Sequence, residues 1–125
     1  MKRDIVTGVE GREDLIQGIE KLAKTVGSTL GPCGRTVIIN RPGRTPLVTK
    51  DGVTVAKEIE LTDPVEAIGA QFVRDVSVKT GEEAGDGTTT ATILAHEMIR
   101  VGSMMQGELG NKFYPFDFKE GMNVA

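Results

Sequence analysis

The chain has 125 residues, of which 38% are hydrophobic, 26% are charged and only 4% are aromatic, and its net charge at pH 7 is −3. A compact chain of this length is one domain or a piece of one, and it can bury a core of aliphatic side chains. The acidic balance and the lack of a long run of Lys or Arg argue against nucleic acid as a partner.

The sequence also argues against secretion and against a membrane span. Its first five residues lack the apolar core of a signal peptide, and no run of about 18 apolar residues occurs. Cys33 is the only cysteine, so no disulfide can form within the chain, which is typical of a reducing compartment. We therefore expect a cytoplasmic protein with no membrane partner.

A short strand and a long helix are predicted first. Residues Arg3–Thr7 are interpreted as the strand, and the helix is predicted from about Val9 to Val26. Gly11 and Gly18 inside this helix would each cost about 1 kcal/mol relative to alanine, which indicates close packing against another element. The apolar face of the helix consists of Leu15, Ile16, Ile19, Leu22, Ala23 and Val26.

The segment Ser28–Arg35 is predicted to be a loop, because two glycines and a proline interrupt regular structure there. Glycines around a proline fix a tight path whose backbone can approach a ligand closely. An ordinary turn from helix to strand has the same pattern. Cys33 is interpreted as a plain loop thiol, because the only histidine, His96, lies in a distant predicted helix.

Two short β-branched runs, Thr36–Asn40 and Leu47–Lys50, are predicted to pair as a β-hairpin. The residues between them include two prolines and a glycine, which favour a turn. A hairpin that projects from a helical chain has unpaired edges. Pairing with another chain is therefore expected.

The triplet Lys50-Asp51-Gly52 ends the hairpin and opens a short helix predicted over Val53–Ile59. A lysine beside an aspartate at the end of a strand can supply a phosphate-binding cation and a carboxylate that orders water or metal. The same two residues are also typical of a surface pair that caps a turn. These residues alone leave both interpretations open.

The third predicted helix begins with strong capping signals. Asp63 is predicted as the N-cap, Pro64 as the first helical residue, and Glu66 as the partner that completes a capping box. Gly81 is predicted to end the helix. Its apolar face is expected to consist of Val65, Ile68, Phe72 and Val76.

The stretch Ala84–Thr92 is rich in small residues and leads into a fourth predicted helix. The first N–H groups of a helix lack intrahelical partners and lie at the positive end of its dipole, so they favour anions. Gly85 and Gly87 leave room for a ligand, and Asp86 among these donors suggests Mg²⁺ held together with phosphate. Alternatively, Asp86 is only the N-cap of the helix. Its apolar positions are Ala91, Leu94, Ala95, Met98, Val101 and Met105.

Beyond Met105 the helical pattern loosens, and a last helix is predicted to begin near Asp117. Neither the P-loop motif nor the dinucleotide fingerprint is present. A nucleotide bound by this chain therefore requires a different arrangement of residues.

Three motifs together resemble the nucleotide-binding signatures of the GroEL-type group I chaperonins. They are Thr29-Leu30-Gly31-Pro32, Lys50-Asp51-Gly52-Val53 and Gly85-Asp86-Gly87-Thr88-Thr89-Thr90-Ala91-Thr92. The likeness runs without gaps from about Arg3 to Gly102. It implies a mainly α, multihelical fragment of the chaperonin equatorial domain, with a small β-hairpin and an N-terminal strand. Residues 1–125 would form part of that domain, and the intermediate and apical domains would be absent.

The resemblance also implies a site for ATP and Mg²⁺. Lys50 would neutralise phosphate charge, Asp86 would hold Mg²⁺, and Asp51 would help to place the attacking water. The residues that would line the nucleotide or cradle its phosphates are Thr29, Leu30, Gly31, Pro32, Gly87, Thr88, Thr89 and Thr90. Such a site depends on positioning and electrostatics rather than on covalent chemistry.

Members of this family are ATP-hydrolysing folding machines built as stacked rings. The resemblance implies an ATPase subunit of a homo-oligomeric ring, with unfolded polypeptides and a co-chaperonin as partners. The hairpin of each subunit would pair with the terminal strand of the next subunit.

The chain departs from the family at Cys33, where a basic residue is usual, and over residues 106–114, where it is a few residues longer. Because the family's principal catalytic aspartate and client-binding surface are absent, we expect negligible ATP hydrolysis by this chain alone. The alternative is a stand-alone, non-enzymatic module that docks on chaperonin rings.

Overall fold

The segments with apolar residues at helical spacing form helices, and the two short β-branched runs form one small sheet, so the structure is mainly helical. The computed structural model describes residues 8–112 and 114–125, so the strand predicted at Arg3–Thr7 lies outside the described residues. The elements in chain order are α1 (Gly8–Gly27), β1 (Val37–Ile39), β2 (Leu47–Thr49), α2 (Gly52–Glu58), α3 (Pro64–Ala84), α4 (Thr88–Leu109), a 3₁₀ turn (Gly110–Lys112) and α5 (Pro115–Val124).

Helices α1 and α3 contact each other through their backbones, because each contributes a glycine at the contact. A Cβ at Gly18 would lie 1.9 Å from the carbonyl oxygen of Glu66, and a Cβ at Gly69 would lie 2.1 Å from that of Leu15. Any side chain at either position would overlap the other helix. The close packing predicted for Gly18 is thus confirmed: Gly18 faces the backbone of Glu66 on α3, and Gly69 of α3 faces the backbone of Leu15 on α1.

The core lies where α1, α2 and α3 meet. All of its side chains are at most 4% exposed. Burying an aliphatic side chain of this kind contributes about 1.5–3 kcal/mol, so the side chains around the α1–α3 contact provide the main stabilisation of the fold. The cluster consists of Ile19, Leu22 and Val26 from α1, Val55 and Ala56 from α2, and Ala70 and Val73 from α3.

The buried face of α3 differs from the one predicted from its apolar residues. Ile68 and Phe72 are 53% and 56% exposed. The buried residues of α3 are instead Gly69, Ala70, Val73 and Ser77. Close approach to α1 requires small residues at the contact, so the bulky stripe is turned outward.

The end of α3 also lies beyond the predicted stop. Gly81 remains helical, and a Cβ there would lie 3.4 Å from the side-chain methyl group of Thr88. The helix ends at Ala84, where Gly85 adopts the left-handed conformation with φ 70° and donates its N–H to the Gly81 carbonyl. A left-handed glycine is the usual end of a helix. The prediction that Gly81 ends α3 is therefore wrong by one turn.

The start of α3 follows the prediction except at Glu66. The Asp63 carboxylate accepts hydrogen bonds from the N–H groups of Val65 at 2.9 Å and Glu66 at 3.0 Å, and Pro64 is the first helical residue. The carboxylate of Glu66 does not complete a capping box but pairs with Lys21 of α1. The approach of α1 brings this lysine within reach of Glu66.

Helix α2 is held at both ends. At its N-terminus, Asp51 caps the first turn. At its C-terminus, Arg74 of α3 donates a 2.8 Å hydrogen bond from Nε to the carbonyl of Ala56 and a second bond from Nη2 to the carbonyl of Ile59. The arginine thereby satisfies terminal carbonyls and complements the negative end of the helix dipole.

The strands β1 and β2 form the antiparallel hairpin that the sequence predicts, in the register Val37 to Thr49, Ile38 to Val48 and Ile39 to Leu47. The inner residues Val37 and Ile39 pack against the edge of the core. Among the described residues, no helix is both long enough and apolar enough to span a membrane.

Replacing Gly18 by alanine is expected to destabilise the protein by about 3 kcal/mol or more, because the new methyl group would overlap the Glu66 carbonyl and force α1 and α3 apart. The free energy of unfolding from urea denaturation measures this loss. Gly107→Ala on α4 is the matched control, since a Cβ there meets no described residue within 4 Å. This control is expected to stabilise the chain by about 0.5–1 kcal/mol through helix propensity. Equal stability of the two variants would contradict the role assigned to Gly18.

Candidate functional site

The three motifs singled out in the sequence meet at the start of α2. A Cβ at Gly52 would lie 2.3 Å from Thr89 Oγ1, 3.3 Å from Thr29 Oγ1 and 3.2 Å from a methyl group of Val26. Thr29 follows α1, and Thr89 belongs to the first turn of α4. One residue from each motif is therefore present at this point. Gly52 is part of the second motif but was not among the predicted site residues, and its lack of a side chain makes the meeting possible.

The loop after α1 is shaped by its own hydrogen bonds. Thr29 donates to the Val26 carbonyl through both its N–H at 3.1 Å and its hydroxyl at 2.6 Å, and Gly34 donates its N–H to the Gly31 carbonyl at 2.9 Å. Gly31 has φ 79°, and a Cβ there would meet no atom of residues 8–112 or 114–125 within 4 Å. The predicted residues Leu30, Gly31 and Pro32 are exposed, so this loop presents open backbone to solvent.

The predicted cation, Lys50, is exposed. Within residues 8–112 and 114–125 its ammonium group has no hydrogen bond or ion pair, in contrast to Lys21, Lys24 and Lys79, which pair with glutamates. A lysine that lies directly after β2 and that the described residues leave unpaired is available to an anionic ligand.

Asp51 has a definite structural role next to Lys50. Its Oδ2 accepts hydrogen bonds from the Thr54 N–H at 3.0 Å and from the Thr54 hydroxyl at 2.5 Å. The hydroxyl bond lowers the pKa of Asp51, backbone N–H groups add to this, and partial burial opposes it. Asp51 is therefore ionised at neutral pH and caps α2, as the surface-cap interpretation predicted for it. Its role in placing water stays a prediction.

The entry to α4 has an open backbone. Gly85 and Gly87 adopt the left-handed conformation with φ 70° and 74°, and a Cβ at either position would meet none of the described residues within 4 Å. Gly87 is the N-cap of α4, and no side chain among residues 8–112 and 114–125 caps this helix. The interpretation of Asp86 as the N-cap is therefore wrong. Asp86 is exposed and accepts a 2.7 Å hydrogen bond from the Gly87 N–H.

The N-terminus of α4 differs from those of α2 and α3, which Asp51 and Asp63 cap. Helix α5 also receives no side-chain cap from the part of the chain that the structure describes, but it begins with Pro115, which has no N–H. In α4 the first-turn residues Thr88, Thr89 and Thr90 all carry N–H groups, and a helix offers no carbonyl to donors at these positions. Their amides and hydroxyls form a set of donors for an anion at the positive end of the helix dipole.

The donor set fits a magnesium-bound phosphate better than a metal held by protein alone. In the part of the chain that the structure describes, no group of three or more His, Cys, Asp or Glu side chains is placed to hold a metal ion. Mg²⁺ is commonly bound through one or two carboxylates, with phosphate oxygens and water as its other ligands. Asp86 supplies such a carboxylate beside the open helix end.

A separate apolar groove of about 600 Å³ runs between α4 and α5. None of its lining residues belongs to the three motifs. The apolar face predicted for α4 lies largely in this groove rather than in the core. Its aliphatic and aromatic lining includes Leu94, Met98, Val101, Met105, Phe118 and Met122.

Comparison with known proteins adds two findings. The TCP-1/cpn60 chaperonin family model matches residues 22–110. Among solved structures, the chaperonin gp146 from the bacteriophage EL 2 (Pseudomonas aeruginosa), crystallised in the presence of ATP-BeFx, is similar with a TM-score of 0.72 and 31% sequence identity. This match covers 90% of the present chain and 19% of that chaperonin, so the chain spans only a small part of the length of its structural neighbour.

The cap at Asp51 predicts a pH-dependent contribution to stability. Because the pKa of Asp51 is lowered in the folded state, its contribution is complete above its ordinary value of 3.8 and is lost as the pH falls through the lower folded value. Urea denaturation is expected to show Asp51→Ala less stable than the parent by about 1 kcal/mol at pH 7. This difference should shrink below pH 3.8. A difference that stays constant down to acid pH would contradict the ionised cap, and Asp75→Ala serves as the control at an exposed aspartate on α3.

Proposed function

The chain belongs to the TCP-1/cpn60 chaperonin family, and we propose that it forms part of the ATP and Mg²⁺ site of a chaperonin subunit that assists protein folding. The observation that carries this proposal is the meeting of the three motifs around Gly52, beside the uncapped N-terminus of α4. The structural neighbour was crystallised with an ATP analogue, and this agrees with a nucleotide as the ligand.

The first turn of α4 is proposed to bind the phosphate groups. The amides and hydroxyls of Thr88, Thr89 and Thr90 supply donors at the positive end of a helix of 22 residues. Gly87 has no side chain to hinder the approach of a bulky anion. Lys50 adds a positive charge that no carboxylate among residues 8–112 and 114–125 neutralises.

The remaining residues are proposed to orient the nucleotide and its metal ion. Thr29, Leu30, Gly31 and Pro32 line the nucleotide along the exposed loop after α1. Asp86 holds Mg²⁺, which supplies positive charge to the phosphate oxygens when it is bound. Asp51 stays ionised through its bond from Thr54 and acts as an acceptor for water near the phosphates.

These residue roles follow from the chemistry of phosphoryl transfer, which requires positioning and charge neutralisation more than covalent catalysis. Asp51 is the catalytic residue proposed in this chain. Because the chain spans 19% of its structural neighbour, we propose that efficient ATP hydrolysis, client binding and a co-chaperonin contact belong to the whole subunit in its ring.

The hairpin is proposed to form a contact between ring subunits. Ile38 and Val48 are paired across the sheet and are 72% and 60% exposed, so one face of the hairpin is apolar and open. In the described residues each strand has one neighbour, and its outer edge is left to pair with a strand of another subunit. This observation also favours the second candidate function, a module that docks on chaperonin rings.

Asp86→Ala is expected to weaken binding of ATP in the presence of Mg²⁺ by about tenfold or more, because it removes a charged contact. Isothermal titration with ATP measures the affinity with Mg²⁺ and with EDTA. The variant should lose the increase in affinity that Mg²⁺ gives the parent and should bind metal-free ATP equally well or better. Glu82→Ala is the control, since Glu82 is an exposed acid in the last turn of α3. If Mg²⁺ raised the affinity for ATP by the same factor in the parent and in Asp86→Ala, Asp86 would not be part of the metal site.

Ile38→Asp is expected to weaken association between subunits, because it places a charge on the apolar face of the hairpin. Sedimentation velocity over a range of protein concentrations measures the association constant, which should fall by about tenfold if one well-buried apolar contact is lost. Val124→Asp is the matched control at another exposed aliphatic position. Unchanged association of Ile38→Asp, or an equal loss in the control, would argue against the hairpin as the contact.

A further inference from the structure

Helices α3 and α4 share a buried pair of hydroxyl groups. Ser77 Oγ lies 2.5 Å from Thr92 Oγ1, and both residues are 0% exposed. Thr92 Oγ1 also donates a 2.9 Å hydrogen bond to the carbonyl of Thr88. A hydroxyl group has one hydrogen, so Thr92 uses its own toward Thr88, and Ser77 is the donor of the pair. The hydrogen bonds thus run from Ser77 to Thr92 and from Thr92 to the first turn of α4.

The hydrogen bond from Thr92 to the Thr88 carbonyl fixes the peptide group between Thr88 and Thr89. The Thr88 carbonyl and the Thr89 N–H belong to one planar peptide unit, so the direction of one determines the direction of the other. In a regular helix this carbonyl already accepts the N–H four residues later. The Thr92 hydroxyl is a second donor to the same oxygen and influences the tilt of the peptide. The direction of the Thr89 N–H is set accordingly.

A second contact holds the same turn from α3. A Cβ at Gly81, one turn after Ser77, would lie 3.4 Å from the Thr88 methyl group. The first turn of α4 is therefore fixed by a hydrogen bond through Thr92 and by the packing of a methyl group on a glycine. An apolar pair in place of Ser77 and Thr92 would fill the interface without leaving any polar group to satisfy, but it would provide no donor for the Thr88 carbonyl.

We propose that Ser77 and Thr92 are positioning residues, which aim the Thr89 N–H at the phosphate group of a bound nucleoside triphosphate. Neither residue touches the ligand in this arrangement, because both are fully buried. The inference rests on the proposed nucleotide site at the start of α4. It adds that a serine 11 residues before the first turn of α4, on another helix, controls the phosphate affinity of that turn.

Isothermal titration with MgATP tests the affinity in the full 125-residue chain. Thr92→Val removes the hydroxyl while retaining the shape, and it should weaken binding by about fivefold, as expected for the loss of one hydrogen bond. Thr92→Ser keeps the hydroxyl and should bind as the parent does, while Ser77→Ala should weaken binding by less than Thr92→Val. Val73→Ala, which creates a cavity one turn earlier on α3, is the control for general loss of stability and should retain the parent affinity.

The amide order parameter of Thr89, from nitrogen-15 relaxation without nucleotide, tests the positioning separately. It should lie near the rigid-backbone value of about 0.85 in the parent and Thr92→Ser, and fall toward about 0.6 in Thr92→Val. If the parent does not bind MgATP but the order parameter changes as expected, the proposed function fails while the positioning of the peptide stands. An unchanged order parameter in Thr92→Val, or parent-like MgATP affinity of that variant when the parent binds, would overturn the inference. So would an equal loss of affinity in Val73→Ala.

Discussion

The backbone contact between α1 and α3 is the constraint on which the rest of the structure depends. Gly18 and Gly69 each face a carbonyl group of the other helix, so neither helix can turn about its axis without bringing a larger side chain into the contact. The aliphatic core surrounds this crossing point and includes Val26, near the end of α1. Because Thr29 follows Val26 by less than one turn and contacts its carbonyl, the loop of the first motif is fixed by the same packing.

Local chemistry made most elements of the fold predictable, but it did not determine which faces would be buried. The cap at Asp63, the proline after it and the hairpin depend on neighbours in sequence, and each was predicted to within a residue or two. Two faces of α3 carry apolar residues at helical spacing, so the sequence alone does not show which one is buried. The face of small residues is buried instead of the face with Ile68 and Phe72 because α1 packs closely against it. The pairing of Glu66 with Lys21 depends on that approach as well, so it could not be read from the capping pattern.

The candidate site was predictable to the extent that its residues lie in short motifs. Their meeting around Gly52 required the three-dimensional structure, because Thr29 and Thr89 are 60 residues apart in the sequence. The hydroxyl pair of Ser77 and Thr92 was harder to predict from the sequence. A serine in the buried stripe of a helix and a threonine on the next helix are individually unremarkable, and their hydrogen bond exists only because α3 packs against α4.

The clamping of α2 has a mechanical consequence. A helix of seven residues is too short to be stable by itself, yet this one is fastened by a carboxylate at one end and by a guanidinium group from α3 at the other. The hydrogen bonds at its two ends therefore fix its position between the hairpin and α3. The residues beside Lys50 and the guanidinium group of Arg74 are thereby joined through one short helix, which links the candidate site to α3.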